Sequence, residues 1–290
     1  MWINMNGTIV PSEKAMISVF DHGLLYGDGV FEGIRVYSGN VFRLQEHLDR
    51  LYYSAKAIML KITIDKKQMI KEVVETVAKN KITNGYIRLV VTRGVGDLGL
   101  DPRKCKESFY FVIAANITLY PDEYYKNGLT ITTVAARRNI SEALDPKIKS
   151  LNYLNNILAK IEASNHGSLE AIMINNAGSV SEATGDNVFI TKGKDLITPD
   201  LSCGVLDGVT RKVVMEIGAK LKMNIYEKIL SRYDLYTADE CFLTGTAAEV
   251  IPVVKIDARE IGDGKPGKWT KKIITEFHKV VKLDGVKVKY

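Results

Sequence analysis

The chain has 290 residues, 46% apolar and 26% charged, with a formal net charge of +6. The length suggests two domains, and the apolar content excludes a disordered chain. The positive charge would admit a nucleic-acid partner, but lysines and arginines are scattered, and the densest basic run (Lys265, Lys268, Lys271, Lys272) reads as a solvated helix face.

Cys105, Cys203 and Cys241 are odd in number and lack C-x-x-C spacing. That speaks against a disulfide framework or a metal site and for a reducing compartment. Met1–Gly7 carries no basic region followed by an apolar core, and no apolar run approaches the roughly 20 residues of a membrane span. The expectation is a cytoplasmic protein.

Along the chain, residues Gly29 to Tyr37 alternate into a strand. Arg43 to Met59 form an amphipathic helix with Leu44, Leu48, Leu51 and Ala55 on one face. A second helix, Lys66 to Asn80, turns Ile70, Val73, Val74 and Val77 inward, and strands follow at Tyr86 to Thr92 and Phe109 to Ile117. Helices grouped beside consecutive strands predict an α+β layer, not a doubly wound sheet. The polar, tyrosine-rich stretch 118–128 marks a boundary between a smaller N-terminal domain (1–117) and a larger C-terminal one (129–290). The second domain reads as a strand (Leu129 to Ala135), a helix (Leu151 to Asn165) and strands at Glu170 to Asn175 and Asn187 to Thr191. A helix from Val209 to Leu221, strands at Glu240 to Leu243 and Val250 to Ile256, and a helix from Trp269 to Lys282 complete it.

The chemistry concentrates in the second domain. Lys149 ends a proline-marked loop, Asp145-Pro-Lys-Ile-Lys149, and opens an apolar helix, which suits an amine aimed into a cleft. Glu182 lies among small residues that allow close approach to a ring. An amine and a ring-facing carboxylate are what pyridoxal phosphate (PLP) chemistry needs most. Gly204 to Arg211 and Thr244 to Glu249 are small-residue turns with backbone amides suited to a phosphate, although Asp207 or Thr210 can equally be a simple helix cap. Lys147 and Lys160 compete with Lys149, but Lys160 falls on the polar face of a helix. Arg50, beside Arg43 and His47, reads as a solvated charge. Arg88 interrupts an apolar strand on the same face as Tyr86, either at a sheet edge or as a carboxylate receptor. His22 is either a general base or a hydrogen-bonded structural residue. Gly27-x-Gly-x-x-x-Gly33 is one residue too long for a dinucleotide loop and precedes a strand, so no Rossmann site is expected.

Seven motifs in order resemble the branched-chain amino acid aminotransferases, class IV enzymes of PLP fold type IV. They are Phe20 to Arg35, Arg43 to Leu51, Tyr86-Ile-Arg88, Lys149-Ser-Leu-Asn-Tyr153, Ser181 to Asn187, Gly208-Val-Thr-Arg211 and Thr244 to Glu249. The resemblance implies a two-domain α+β fold with PLP at the domain interface, and Lys149 as the Schiff-base lysine. It implies Glu182 on the pyridine nitrogen, Arg50, Val209, Thr210 and Thr246 on the phosphate, and Tyr153 on the phenolic oxygen. Thr246, Ala247 and Tyr86 would take the substrate α-carboxylate, and Arg88 the side-chain carboxylate of glutamate. Phe31, Tyr26, Leu98 and Leu100 would wall the apolar pocket, with Tyr26 and the 98–100 loop reaching in from a second subunit of at least a homodimer. The implied reaction is transamination of leucine, isoleucine and valine with 2-oxoglutarate, in branched-chain amino acid biosynthesis. Lys149-Ser-Leu-Asn-Tyr153 is one residue shorter than the Lys-x-Gly-Gly-Asn-Tyr of many members and resembles D-amino acid aminotransferases. A D-specific enzyme, an aminodeoxychorismate lyase and a PLP-free binding protein are the alternatives.

Overall fold

Alternate residues of the strand Gly29–Tyr37, namely Val30, Ile34 and Val36, face a core shared with two helices. The computed structural model describes residues 1–117 and 120–290. The chain forms two compact units, an N-terminal one (1–117, 148–152 and 281–290) and a C-terminal one (120–147 and 153–280 among the described residues). The division therefore differs from a single cut at 118–128. The lysine segment and the last ten residues, expected in the C-terminal domain, belong to the N-terminal unit. The expected interdomain connection contains a short helix, Asp122–Asn127, while residues 118 and 119 lie outside the described residues.

The N-terminal unit is a seven-stranded antiparallel sheet. Its order is Gly285–Lys287, Asn40–Phe42, Gly29–Tyr37, Gly85–Thr92, Phe109–Ala115, Trp2–Met5, Thr8–Pro11. Helices Leu44–Ala57 and Lys66–Lys79 contribute Leu44, Leu48, Leu51, Met69, Val73 and Val77, which pack with Val30, Ile34, Ile87, Leu89 and Val112 in one core. Asp65 caps the second helix by accepting from the Gln68 amide at 2.8 Å. The short strands at 2–5, 8–11, 40–42 and 285–287 escape sequence reading because periodicity has too few residues to register there.

The C-terminal unit is a mixed nine-stranded sheet. Its order is Asn224–Lys228, Asp195–Pro199, Asn187–Lys192, Glu240–Gly245, Glu249–Ile256, Leu129–Arg137, Ala171–Ile174, Val180–Ala183, with Arg259–Glu260 paired to Glu249–Ile256. Three of its pairings are parallel. The sheet curls, so that Val180–Ala183 at one end also approaches Asn187–Lys192. Ile131, Ile172, Val188, Ile190, Leu243 and Ile251 fill its core. Helices Val209–Lys220 and Lys268–Val280 pack on each other and on the strands beside them. The helix expected from Leu151 begins at Leu154, because residues 150 and 151 are engaged as extended backbone.

Candidate active site

The site residues fall into two groups, one in each unit. In the N-terminal unit the extended segment 148–152 lies along the strand Gly29–Tyr37. The Phe31 amide donates to the Lys149 carbonyl at 3.0 Å and the Leu151 amide to the Gly29 carbonyl at 2.9 Å. Glycine makes room for it: a Cβ on Gly29 would come within 2.6 Å of Leu151, and one on Gly27 within 2.8 Å of Asn152. The glycine pattern that fits no dinucleotide loop thus serves as a bed for the lysine segment. Gly33 has a matching role, since a Cβ there would meet the Tyr86 hydroxyl at 2.0 Å.

Lys149 is consequently fixed by its backbone, whose amide donates to Ser54 Oγ at 3.2 Å. Its Nζ lies 4.8 Å from the centroid of the Phe31 ring. The Arg88 guanidinium lies 4.6 Å from the same ring and donates to the Tyr86 hydroxyl at 3.3 Å. Lys149, Phe31, Tyr86 and Arg88 are therefore one constellation, two cations on one aromatic ring. The strand Gly85–Thr92 is paired on both sides, so Arg88 is not at a sheet edge. Of the competing lysines, Lys147 pairs with Asp145 at 3.4 Å and Lys160 with Glu170 at 3.2 Å.

Arg50 is not the solvated charge its position suggests. Its Nε and Nη2 donate to Glu32 Oε1 and Oε2 at 2.7 and 2.8 Å, and His47 Nδ1 donates to Glu32 Oε2 at 2.7 Å. Glu32 is wholly buried on the interior strand Gly29–Tyr37, and His47 and Arg50, three residues apart, reach it from one helix face. Burial alone would push the Glu32 carboxyl up. The Arg50 guanidinium and the hydrogen bonds from Arg50 and His47 outweigh it and hold the pKa at about 2. Burial pushes the His47 imidazole down, against the pull of Glu32.

Other expected residues are placed differently. Tyr26 donates to the Leu98 carbonyl at 2.5 Å, while the Leu98 and Leu100 side chains are 69% and 78% exposed. His22 is buried with Nε2 on the Asp97 carbonyl at 2.8 Å, which gives it a structural hydrogen bond.

In the C-terminal unit three segments meet at Asn187. Glu182, on the strand Val180–Ala183, accepts from Arg138 Nη2 at 2.8 Å through one oxygen. Its other oxygen accepts from Asn187 Nδ2 at 2.9 Å and from the Leu206 amide at 3.0 Å. Asn187 also donates to the Leu206 carbonyl at 3.0 Å and pairs across the sheet with Thr244. A Cβ on Gly208 would meet Asn187 Oδ1 at 2.1 Å, so the start of the helix Val209–Lys220 sits tightly against it. That helix has no side-chain cap, which leaves the amides around the buried Val209 and Thr210 as its positive end. Thr246 and Ala247, both partly buried, form the turn between Glu240–Gly245 and Glu249–Ile256. Tyr153, partly buried, occupies the N-cap position of the helix Leu154–Asn165.

Sequence reading misses Arg138 and Glu32. A glutamate inside Val30-Phe-Glu-Gly-Ile34 is a legible sign of a buried charge in need of a partner. Arg138 gives a weaker sign, as the second of two arginines closing an apolar strand.

The family model for class IV amino-transferases matches residues 29–256, a span that includes both Lys149 and Glu182. The chain belongs to the class IV aminotransferases. Among curated relatives of this class IV enzyme, a putative branched-chain-amino-acid aminotransferase of Methanocaldococcus jannaschii is 49% identical over 288 residues, 99% of each chain. A D-alanine aminotransferase of Bacillus licheniformis is 33% identical over 293 residues, 99% of each chain. A solved branched-chain amino acid aminotransferase of T.th., complexed with N-(5'-phosphopyridoxyl)-L-glutamate, superposes with a TM-score of 0.91 at 34% identity, covering 97% of this chain and 93% of that one. The fold is thus that of the class IV aminotransferases, the one implied by the sequence resemblance.

Proposed function

We propose that this PLP-dependent aminotransferase moves the amino group of the branched-chain L-amino acids leucine, isoleucine and valine to 2-oxoglutarate. The observation that carries the reading is the placing of Lys149 Nζ and the Arg88 guanidinium on the single Phe31 ring. An amine that reacts at the α-carbon and a cation that takes a distal carboxylate then share one apolar floor. That is the arrangement needed to accept a leucine side chain and a glutamate side chain in turn.

The residues present fit PLP. The uncapped start of the helix Val209–Lys220 and the Thr246 turn offer amides and hydroxyls to a phosphate, and Arg50 is proposed for the phosphate on the family resemblance alone. Glu182, acceptor-only when ionised, suits the pyridine N–H, and Tyr153 the phenolic oxygen. Bound PLP supplies the aldehyde that carries the amino group and the ring that absorbs carbanion charge. Lys149 Nζ carries the cofactor and then moves the proton taken from the substrate α-carbon. Tyr86, Thr246 and Ala247 are proposed to orient the α-carboxylate, while Phe31, together with Tyr26, Leu98 and Leu100 supplied by a second copy of the chain, excludes water from the side chain.

A second copy of the chain is the proposed partner. Leu98 and Leu100 are exposed, and Leu154, Ile157, Leu158 and Ile161 form an exposed stripe at helical spacing. Light scattering on the purified protein tests this. Among the described residues no helix is long and apolar enough to cross a membrane, and Cys105, Cys203 and Cys241 are unpaired. A cytoplasmic place in branched-chain amino acid biosynthesis is part of the same proposal and rests on the family resemblance.

The short Lys149-to-Tyr153 spacing and the D-alanine aminotransferase relative favour one other reading, a D-amino acid aminotransferase. An amino-donor panel with both enantiomers and 2-oxoglutarate decides: preference for L-leucine, L-isoleucine and L-valine supports the proposal, and preference for D-alanine replaces it.

A further inference from the structure

We infer that Arg138 is a positioning residue that acts through Glu182, holding its carboxylate charged and aimed so that the proton shared with the PLP ring nitrogen stays on nitrogen. This rests on the role proposed for Glu182. The guanidinium is buried and spends its donors within the C-terminal unit. Nη2 reaches Glu182 Oε1 at 2.8 Å, Nη1 reaches Asn156 Oδ1 at 3.0 Å and Asn139 Oδ1 at 3.1 Å, and Nε reaches the Gly204 carbonyl at 3.3 Å. Both side chains of the pair are only 7% exposed. A cation in direct contact with a buried carboxylate favours its ionised form far more than it would in water. It also lies against Glu182, so it lowers the proton affinity of that carboxylate more than that of a ring beyond it.

The arrangement leaves Glu182 little freedom. Asn156 links the network onward by donating to the Thr184 carbonyl at 2.8 Å, and Ser181 Oγ donates to the same Gly204 carbonyl at 2.8 Å. Arg138 therefore ties the strand Val180–Ala183, the helix Leu154–Asn165 and the Gly204 turn to one carboxylate. Without that charge, Glu182 would lose a cation in direct contact with its buried carboxylate, and retaining a proton would become less costly.

The test uses the holoenzyme loaded with ring-¹⁵N-labelled PLP, whose nitrogen chemical shift distinguishes pyridinium from neutral pyridine. Arg138→Gln is expected to move that signal toward the neutral form and slow the amino-acid half-reaction about 10- to 100-fold, with a smaller change in KM. The same substitution made in Glu182→Gln should change the rate several-fold at most, since Arg138 has nothing left to act through. Arg138→Lys keeps the charge and should keep the pyridinium signal, which preserves the test if Arg138→Gln does not fold. Equal rate losses in the two backgrounds, or a neutral nitrogen in Arg138→Lys, would overturn the inference. If Glu182→Gln itself left the nitrogen signal unmoved, the role of Glu182 would fall first, and that outcome is distinct from the others.

Discussion

Two arginine–carboxylate clusters, Glu32 with Arg50 in the N-terminal unit and Arg138 with Glu182 in the C-terminal unit, have opposite internal logic. In the N-terminal unit Glu32 is the fully buried anchor and Arg50, with 12% of its side chain exposed, is the group it holds. In the C-terminal unit Arg138 is the anchor, bonded on several sides, and Glu182 is the group held. The arginine proposed for the phosphate is thus braced by a carboxylate, and the carboxylate proposed for the ring nitrogen by an arginine. The pairs look alike as ion pairs but should fail differently: loss of the first anchor should unfold its surroundings, and loss of the second group should slow chemistry.

The largest effect is expected from Glu32→Ala, which leaves Arg50 without its buried partner and should cost about 3–5 kcal/mol. The two tryptophans, Trp2 and Trp269, lie one in each unit. Denaturant unfolding followed in a Trp269→Phe background therefore reads the N-terminal unit alone, and an unchanged midpoint there would break the comparison.

Acid should expose the same cluster. Glu32 is held at about 2 against an ordinary 4.5, a difference of roughly 3 kcal/mol that is fully present above pH 4.5 and lost as pH falls from there toward 2. His47 works in the same direction, because its folded pKa is lowered from 6.5 and the unfolded chain takes up its proton first. Fluorescence of Trp2 across this range should show the loss, and Glu32→Gln should flatten it. A pH-independent signal would mean that folding does not lower the Glu32 pKa.

In the other cluster Glu182→Gln should reduce kcat about 100-fold, close to 3 kcal/mol in the barrier, with a smaller effect on stability. Arg138 keeps its bonds to Asn156, Asn139 and Gly204 in that variant. A variant that unfolds as readily as Glu32→Ala would erase the distinction between the clusters.

Arg88→Leu sharpens the picture at the substrate end. Glutamate and 2-oxoglutarate should lose a charge-assisted contact worth roughly 2 kcal/mol, about 30-fold in kcat/KM, while the leucine half-reaction changes only several-fold. Equal losses in single-turnover measurements would move Arg88 to the α-carboxylate.

Legibility from sequence follows element length and the range of the interactions. Helices such as Lys66–Lys79 and strands such as Gly85–Thr92 carry enough periodicity to be read directly. The four-residue strand that bears Glu182 does not, and neither does the extended run 148–152, which is ordered by backbone bonds to Gly29 and Phe31 far away in the chain. Lys149, Glu182 and Arg88 can be proposed from sequence because their motifs are local. Arg138 and Glu32 cannot, because a buried charge is recognised only by the partner it meets after folding. The Gly27, Gly29 and Gly33 pattern is visible, but its purpose needs the close approaches of Asn152, Leu151 and Tyr86.

The central claim is that Lys149 carries the cofactor. Borohydride treatment of the PLP-loaded protein fixes the cofactor to the lysine that bears it, and peptide mass spectrometry then locates it. Phosphopyridoxyl on Lys149 is the result expected here. The label on Lys147 or Lys160, or on no lysine at all, would contradict the account.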